Sequence, residues 1–292
     1  MTERGLALVV VTHNARAQLE TLLDGIADDP GCLVGELVVV DNDSRDGTAE
    51  MVAARSARVR YLRNSPGRGF AAAVNQGVRE TTAPDIAIVT VSTRLTIAAL
   101  DGLQRALHHE KDIAAVGPLI RSLDGTVQKH GLFAPRPLTA AVVLLGLGRF
   151  EVFRREADRY YGPHRPGPPL EVDNLSGACV MVRRDAWAAV GEFDERFFLY
   201  CEDVDWSLRA RQAGWRLLFV PEVEVRREKS ASSKGNSVFT IRLYYRSLRA
   251  FYRKHHAGAP LPARTLWLGA AYLREAVELV ADRLRREKGL RY

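Results

Sequence analysis

Cysteine is scarce in this chain of 292 residues: Cys32, Cys179 and Cys201 stand far apart, with no CxxC pair among them. An odd, dispersed set excludes a disulfide framework, offers no zinc spacing, and fits a reducing, cytoplasmic setting. Long apolar runs are missing too. The nearest, 139–148 (Thr-Ala-Ala-Val-Val-Leu-Leu-Gly-Leu-Gly), falls short of the roughly 18 residues that a spanning helix needs, and reads as a buried helix or a lip touching lipid. The apolar stretch after Gly5 is too short and too early for a signal-peptide core and reads as a strand. Acidic residues are in deficit, 35 against 42 Lys and Arg, so the net charge is +7. That balance suits anionic partners: nucleotide diphosphates, a phospholipid surface or nucleic acid. What is abundant is apolar: 47% hydrophobic residues over this length exclude disorder and support one large or two small domains.

The unbroken β-branched runs at 6–11 (Leu-Ala-Leu-Val-Val-Val) and 36–41 (Glu-Leu-Val-Val-Val-Asp) read as strands buried on both faces. Between them, 15–26 has helical spacing. The alternation continues with a helix over 46–55, a strand over 59–62, a helix over 69–79 and a strand over 85–91, which implies an α/β fold with a mainly parallel sheet. In such sheets ligands settle at the carboxyl ends of the strands. Thr12-His13-Asn14 and Asp41-Asn42-Asp43-Ser44 fall there, although Ser44 or Asp46 equally suits a helix cap. Asp41, closing the second strand, is positioned to accept a hydrogen bond from a nucleobase imide or a ribose hydroxyl. The segment Asn64 to Gly77 carries glycines that permit close backbone approach, either to phosphate or simply within a tight turn.

The densest chemistry lies in Phe-Phe-Leu-Tyr-Cys-Glu-Asp-Val-Asp-Trp (197–206). Three carboxylates among aromatics lose hydration, which raises their proton affinity toward the range of a general base. The plainer reading is that Glu202, Asp203 and Asp205 open a helix and complement its dipole.

Five blocks then resemble the family 2 glycosyltransferases, inverting enzymes of the GT-A fold, over roughly 5–255. They are Val-Val-Val-Thr-His-Asn (9–14), Val-Val-Val-Asp-Asn-Asp-Ser-Arg-Asp-Gly-Thr (38–48), the 64–77 segment, 172–184 and 191–206. With Arg-Gln-Ala-Gly-Trp (211–215), the later blocks look most like bacterial rhamnosyltransferases of surface polysaccharide synthesis. The resemblance implies that Thr12, Asn14, Asn42 and Ser44 touch the nucleotide and that Asp41 holds the base. It implies that Asn64, Gly69 and Asn75 wall the ribose and diphosphate, and that Ser176, Gly177 and Ala178 border sugar and acceptor. Asp203 matches the family's general base, Glu202 orients or polarises it, and Asp205 is structural.

One feature of that family is missing. Where relatives carry an Asp-x-Asp after the fourth strand, the metal carboxylate falls at Ser92, and the histidine after Val-Pro-Glu becomes Arg226 or Arg227. A hydroxyl is a poor sole ligand for a hard cation and a guanidinium is none, so the sequence argues against tight magnesium or manganese binding. By formal charge an Asp, a neutral His and a divalent ion sum to about +1, as do a Ser and an Arg. Arg226 or Arg227, with Arg94, therefore stands as a metal-free clamp on phosphate oxygens. The expected function is inverting transfer of a sugar, rhamnose from dTDP-rhamnose or another sugar from a UDP donor, to a saccharide or polyprenyl-linked acceptor. The alternative is a catalytically impaired chain that binds nucleotide sugar or scaffolds a partner enzyme.

Residues 240–256 interleave arginines and aromatics at helical spacing, and 264–288 set Leu266, Trp267, Ala270, Leu273, Val277, Val280 and Leu284 on one side. Packing on the catalytic domain, a homodimer contact, or peripheral attachment to the inner face of an anionic membrane are the readings open to them; no nucleic-acid module accompanies them. Pro260 and Pro262 mark a hinge. The expected domains are a GT-A domain over 1–235, with a nucleotide-binding half at 1–100 and a sugar and acceptor half at 101–235, followed by a helical extension at 236–292. The segment 151–170 is expected to form part of the acceptor wall.

Overall fold

The computed structural model describes residues 5–27, 33–55, 58–133, 139, 142–143, 145–228 and 238–287. Cys32 and positions 140, 141 and 144 of the 139–148 run lie outside them. Cys179 and Cys201 are buried free thiols. Among the described residues no helix is long and apolar enough to cross a membrane.

The chain forms two compact units that are interleaved in sequence. The first comprises 1–130, 164–198 and 202–228; the second comprises 131–163, 199–201 and 229–292. The first unit holds the sheet. Its strands are β1 (Leu6–Thr12), β2 (Val34–Asn42), β3 (Val59–Asn64), β4 (Asp85–Thr90), β5 (Thr93–Arg94), β6 (Ile113–Ser122), β7 (Leu170–Val172), β8 (Cys179–Arg183) and β9 (Arg216–Arg227). They run in the order β3-β2-β1-β4-β8-β6-β9-β5, with β7 beside β9. The β3-β2-β1-β4 half is parallel throughout. Every residue of β1 is buried, which is why its sequence is a continuous apolar run rather than an alternation. Helices α1 (Arg16–Ala27), α2 (Thr48–Arg55), α3 (Phe70–Arg79) and α4 (Ile97–Leu107) connect or follow the parallel strands. Leu19, Leu22, Leu23 and Ile26 of α1 enter the same core as Leu8, Val10 and Val39 of the sheet. At Gly77 a side chain is excluded by geometry, because a Cβ there would lie 2.5 Å from Val9 Cγ1.

Past β4 the directions mix: β4 and β8 are antiparallel, β8 and β6 antiparallel, β6 and β9 parallel. The β6–β9 register jumps, Pro118 pairing with Val220 and Leu119 with Glu224, so that Pro221, Glu222 and Val223 bulge out. Helices α6 (Arg184–Val190) and α7 (Glu202–Gln212) complete this half, the 3-10 turn Leu147–Arg149 and α5 (Glu151–Tyr161) lying in the second unit.

The second unit is also built on α8 (Val238–His255) and α9 (Leu261–Glu287). Trp267 stacks on Tyr252 with ring centroids 4.0 Å apart, and Ile241, Tyr245 and Ala271 close the cluster. Arg249 donates to Glu275, joining the two helices by an ion pair. Two expectations are corrected here. Pro262 is not a hinge but sits in the first turn of α9, where the missing N–H costs nothing. The apolar residues of α9 do not share one packed side: Trp267 and Ala270 are buried, whereas Leu266, Leu273, Val277, Val280 and Leu284 are exposed.

Candidate active site

The parallel register brings the ends of β1, β2 and β3 to one edge, and short polar side chains there tie the loops together. Ser44 Oγ accepts the Asn14 N–H at 2.8 Å, and Asn14 Oδ1 accepts the Arg45 N–H at 2.8 Å. Asn14 needs this support, because its φ of 47° is left-handed. Asn42 Nδ2 donates to the Gly69 carbonyl at 2.9 Å, while its Oδ1 accepts from Asn64 Nδ2 at 3.1 Å. Gly69 is required twice over: its φ is 86°, and a Cβ would stand 2.5 Å from the Phe198 carbonyl oxygen, which accepts the Phe70 N–H. Thr12 is buried, and its hydroxyl has no hydrogen-bond partner among the described residues.

Two expected ligand-facing residues are instead consumed by the fold. Asp41 is 0% exposed; its Oδ1 accepts the Ser44 N–H at 2.8 Å and its Oδ2 accepts the Tyr61 hydroxyl, so it has no open face toward a base or ribose. Tyr61 sits on the neighbouring strand, a pairing that only the β2–β3 register reveals. Asn75 is 1% exposed, donating to the Phe193 carbonyl and Glu195 and accepting the Phe193 N–H at 3.0 Å. It braces the 193–195 loop rather than walling an open cleft.

The carboxylates lie in the same unit, at the start of α7. Glu202, Asp203 and Asp205 do open α7, and Asp205 is structural, accepting from Arg209 Nε at 2.9 Å. Asp203 is deep but not sealed. Its Oδ2 accepts the Gly177 N–H and its Oδ1 the Val204 N–H, both at 2.8 Å. Burial raises its pKa above the ordinary carboxylate value, opposed by those N–H groups and by the Arg227 charge. Glu202 is 4% exposed, and its Oε2 has no hydrogen-bond partner among the described residues. Burial first and the Asp203 charge second push its pKa well up. The two neighbouring carboxyls are unequally supported: backbone N–H groups and the Arg227 charge favour the ionised form of Asp203, whereas burial and the Asp203 charge favour the neutral form of Glu202.

The 176–178 loop links this pair to the end of β4. Thr90 and Thr93 hydroxyls both donate to the Ala178 carbonyl, at 3.2 and 3.1 Å, and Ser176 Oγ accepts the Ala178 N–H. A Cβ on Gly177 would lie 3.4 Å from Asp203 Oδ2 and 3.5 Å from Phe70 Cε1, so this loop runs close to both the carboxylates and the start of α3. Ser92 is buried, and its Oγ accepts from Arg227 Nε at 3.2 Å. Strand pairing separates the arginines. Thr93 stands opposite Arg227, while Arg94 stands opposite Arg226, and alternation puts the two pairs on opposite faces. Arg94 and Arg226 are exposed, and Arg94 pairs with Glu228 at 2.8 Å. Of the three arginines, Arg227 is the one that reaches Ser92, and its charge also acts on Asp203.

Sequence reasoning assigned no role to Tyr61, Phe198, Thr90 or Thr93. It also missed His130 and His164, whose rings meet edge to face at 4.9 Å beside Phe219. Burial, then His164, then Arg227 lower the His130 pKa to about 4. Phe198 stands within the 197–206 block but drew no role from its residue type, and the others lie in no motif that points to their partners; each acquires its neighbour through strand pairing or a long loop.

A family model described as glycosyltransferase like family 2 matches residues 4–247. The chain is a family 2 glycosyltransferase. Among relatives of this glycosyltransferase, an N-acetylglucosaminyl-diphospho-decaprenol L-rhamnosyltransferase of Mycobacterium tuberculosis is 31% identical, over 97% of this chain and 95% of its own. The rhamnosyltransferase WbbL of Escherichia coli is 44% identical over a stretch of 50 residues, 17% of this chain and 19% of its own. The fold is also that of a mannosyltransferase from Pyrobaculum calidifontis solved with GDP-Man and Mn2+, at TM-score 0.60 and 19% identity, covering 96% of this chain and 75% of the other. It is therefore a GT-A enzyme that uses a nucleotide sugar.

The metal that such neighbours hold does not fit the residues present here. The position at the end of β4 offers a serine hydroxyl already engaged by a guanidinium, and among the described residues no three His, Cys, Asp or Glu side chains gather as ligands.

Proposed function

We propose that this glycosyltransferase transfers rhamnose from dTDP-rhamnose to a polyprenyl-diphosphate-linked N-acetylglucosaminyl acceptor, with Asp203 as the base and the Arg227 guanidinium in the place of a cation. The near full-length similarity to the mycobacterial enzyme supports the donor sugar and acceptor. The contact of Arg227 Nε with Ser92 Oγ carries the rest, because it fixes a positive charge where the fold family keeps its metal and within electrostatic reach of Asp203. The open sides of Asn14, Asn42, Ser44, Asn64 and Gly69, together with Ser176 and Gly177, line the donor in this reading. The nucleotide-binding half is 1–100 and the sugar and acceptor half is 101–235.

The chemistry follows from the unequal carboxyls. Asp203 takes the proton of the acceptor hydroxyl while that oxygen forms a bond to the anomeric carbon from the face opposite the phosphate. The bond from the anomeric carbon to the phosphate oxygen breaks, and its electron pair leaves with the nucleoside diphosphate. That diphosphate gains negative charge, which the planar guanidinium of Arg227 meets through paired N–H donors. Both Asp203 oxygens keep a lone pair beyond the one each gives to a backbone N–H, so the base is oriented without being exhausted. Burial and the Asp203 charge favour the neutral form of Glu202, which limits the negative charge in the cleft.

Turnover of labelled dTDP-rhamnose on a polyprenyl-diphosphate N-acetylglucosamine acceptor in excess EDTA tests this reading. Unchanged rate with chelator, and a loss of about 100-fold or more in Arg227→Gln, is the expected result. Activity restored only by added manganese overturns the guanidinium role. No transfer with any donor favours a chain that binds nucleotide sugar without turning it over.

A further inference from the structure

Two consecutive residues stand in the left-handed region immediately before the carboxylate pair: Tyr200 at φ 70° and Cys201 at φ 71°. Residues with a Cβ seldom adopt that conformation, and outside Asn, Asp and His it persists only where surrounding contacts impose it. Leu199, Tyr200 and Cys201 belong to the second unit, although the residues on either side belong to the first. Within the second unit, two anchors of this segment are on α8. Ser247, 3% exposed, donates its hydroxyl to the Leu199 carbonyl at 2.8 Å. A serine inside a helix often returns its hydroxyl to the carbonyl four residues back; this one reaches a residue 48 positions earlier. One turn along the same face, Tyr244 meets the Tyr200 ring edge to face, with centroids 5.5 Å apart.

The segment leads straight into the start of α7. Beyond its first turn that helix has its own fastenings in the first unit: Trp206 Nε1 donates to the Gly191 carbonyl at 2.9 Å, and Arg209 donates to the Val190 and Glu192 carbonyls, each at 2.7 Å. The first turn carries Glu202 and Asp203, and its entry angle is set by the dihedral angles of the residues just before it. Were Tyr200 or Cys201 to relax to a right-handed or extended conformation, the peptide planes entering α7 would turn. The Asp203 carboxylate would then leave the Gly177 N–H, which it accepts at 2.8 Å.

We infer that Ser247 is a positioning residue for Asp203: through the Leu199 carbonyl, and with Tyr244 beside it, it holds Tyr200 and Cys201 left-handed so that the carboxylate meets Gly177. It acts through the chain and not on substrate. The kinetic consequence rests on the reading of Asp203 as the base; the positioning itself does not.

Ser247→Ala in the full chain tests both parts. Amide hydrogen exchange is read at Gly177 and, as a control, over 207–212 of α7. Exchange at Gly177 is expected to quicken about tenfold or more, with 207–212 unchanged. In the dTDP-rhamnose transfer assay kcat should fall about tenfold while the donor KM stays within about twofold. The acid limb of kcat/KM should move to higher pH, because the Gly177 N–H opposes the rise that burial imposes on the Asp203 pKa. Glycine adopts the left-handed conformation without steric cost, so adding Cys201→Gly to Ser247→Ala should restore slow exchange at Gly177 and most of kcat. Tyr244→Leu, which keeps apolar bulk and loses the ring contact, should quicken Gly177 exchange about threefold. Unaltered exchange at Gly177 in both single variants overturns the inference, as does faster exchange that spreads through 207–212, which marks a general loosening of the fold. Faster exchange confined to Gly177, together with full turnover in Asp203→Asn, upholds the positioning and removes the base reading instead.

Discussion

Asp203 and Glu202 are adjacent in sequence and opposite in circumstance. Asp203 receives two backbone N–H groups and the field of Arg227; Glu202 is buried, with an oxygen that finds no hydrogen-bond partner among the described residues. Because the difference lies in hydrogen bonding, replacing Asp203 by the isosteric amide removes the base and keeps one of the two backbone contacts, the amide nitrogen being unable to accept the other N–H. Asp203→Asn should therefore lower kcat by about 100- to 10,000-fold while donor affinity, measured by calorimetry, changes little. A comparable loss of donor binding would mean that Asp203 holds the nucleotide sugar rather than the acceptor proton. The carboxylate cluster and its raised proton affinity were legible from the aromatic neighbours. The identity of the partners, Gly177 and Arg227, was not, since they lie 26 residues before and 24 after Asp203 and arrive by way of separate strands.

At the scale of elements, the parallel half was readable almost residue by residue. Buried parallel strands must be apolar on both faces and helices must show a 3.6-residue period, so β1, α1, β2 and α3 appear in the sequence within about two residues of their ends. How closely they approach is less visible. Gly77 faces β1 with room for no side chain, and Gly77→Ala is expected to push α3 off the sheet and destabilise the fold by about 1–3 kcal/mol in urea denaturation. An unchanged midpoint would show that α3 shifts freely, and the wall built on Gly69 and Asn64 would then be less rigid than its hydrogen bonds imply. Helix α9 was legible as amphipathic, but its two apolar stripes were merged into one. Periodicity locates apolar residues on a helix; it does not say how many faces have partners.

For the molecule as a whole, two buried groups set opposing slopes of stability against pH. Folded His130 titrates near 4 rather than 6.5, so between those values the unfolded chain binds a proton that the folded chain refuses. Stability therefore falls as pH drops through that window, by on the order of 3 kcal/mol from this group. Glu202 acts the other way. Its folded value lies well above 4.5, so from there upward the unfolded chain releases a proton that the folded chain keeps, and stability falls as pH rises through the folded value. Denaturation measured from pH 4 to 8 should show both limbs, His130→Gln flattening the acid side and Glu202→Gln raising stability at pH 8 but not near pH 4. Superimposable profiles for wild type and both variants would mean that neither group is held in the protonation state assigned to it.

The amino-acid sequence by itself determined the succession of strands and helices, the family, the carboxylate pair, and the serine and arginines that stand where relatives bind metal. These are properties of local spacing and residue chemistry, carried by neighbours along the chain. Tertiary structure alone decided that Arg227 and not Arg226 faces Ser92, because the outcome depends on the parity of β9 after its bulge and on its pairing with β5. It also decided that Tyr61 closes off Asp41 and that one stripe of α9 is left uncovered. In each case the direction of a side chain depends on a partner distant in sequence, and a one-residue change of register would reverse it.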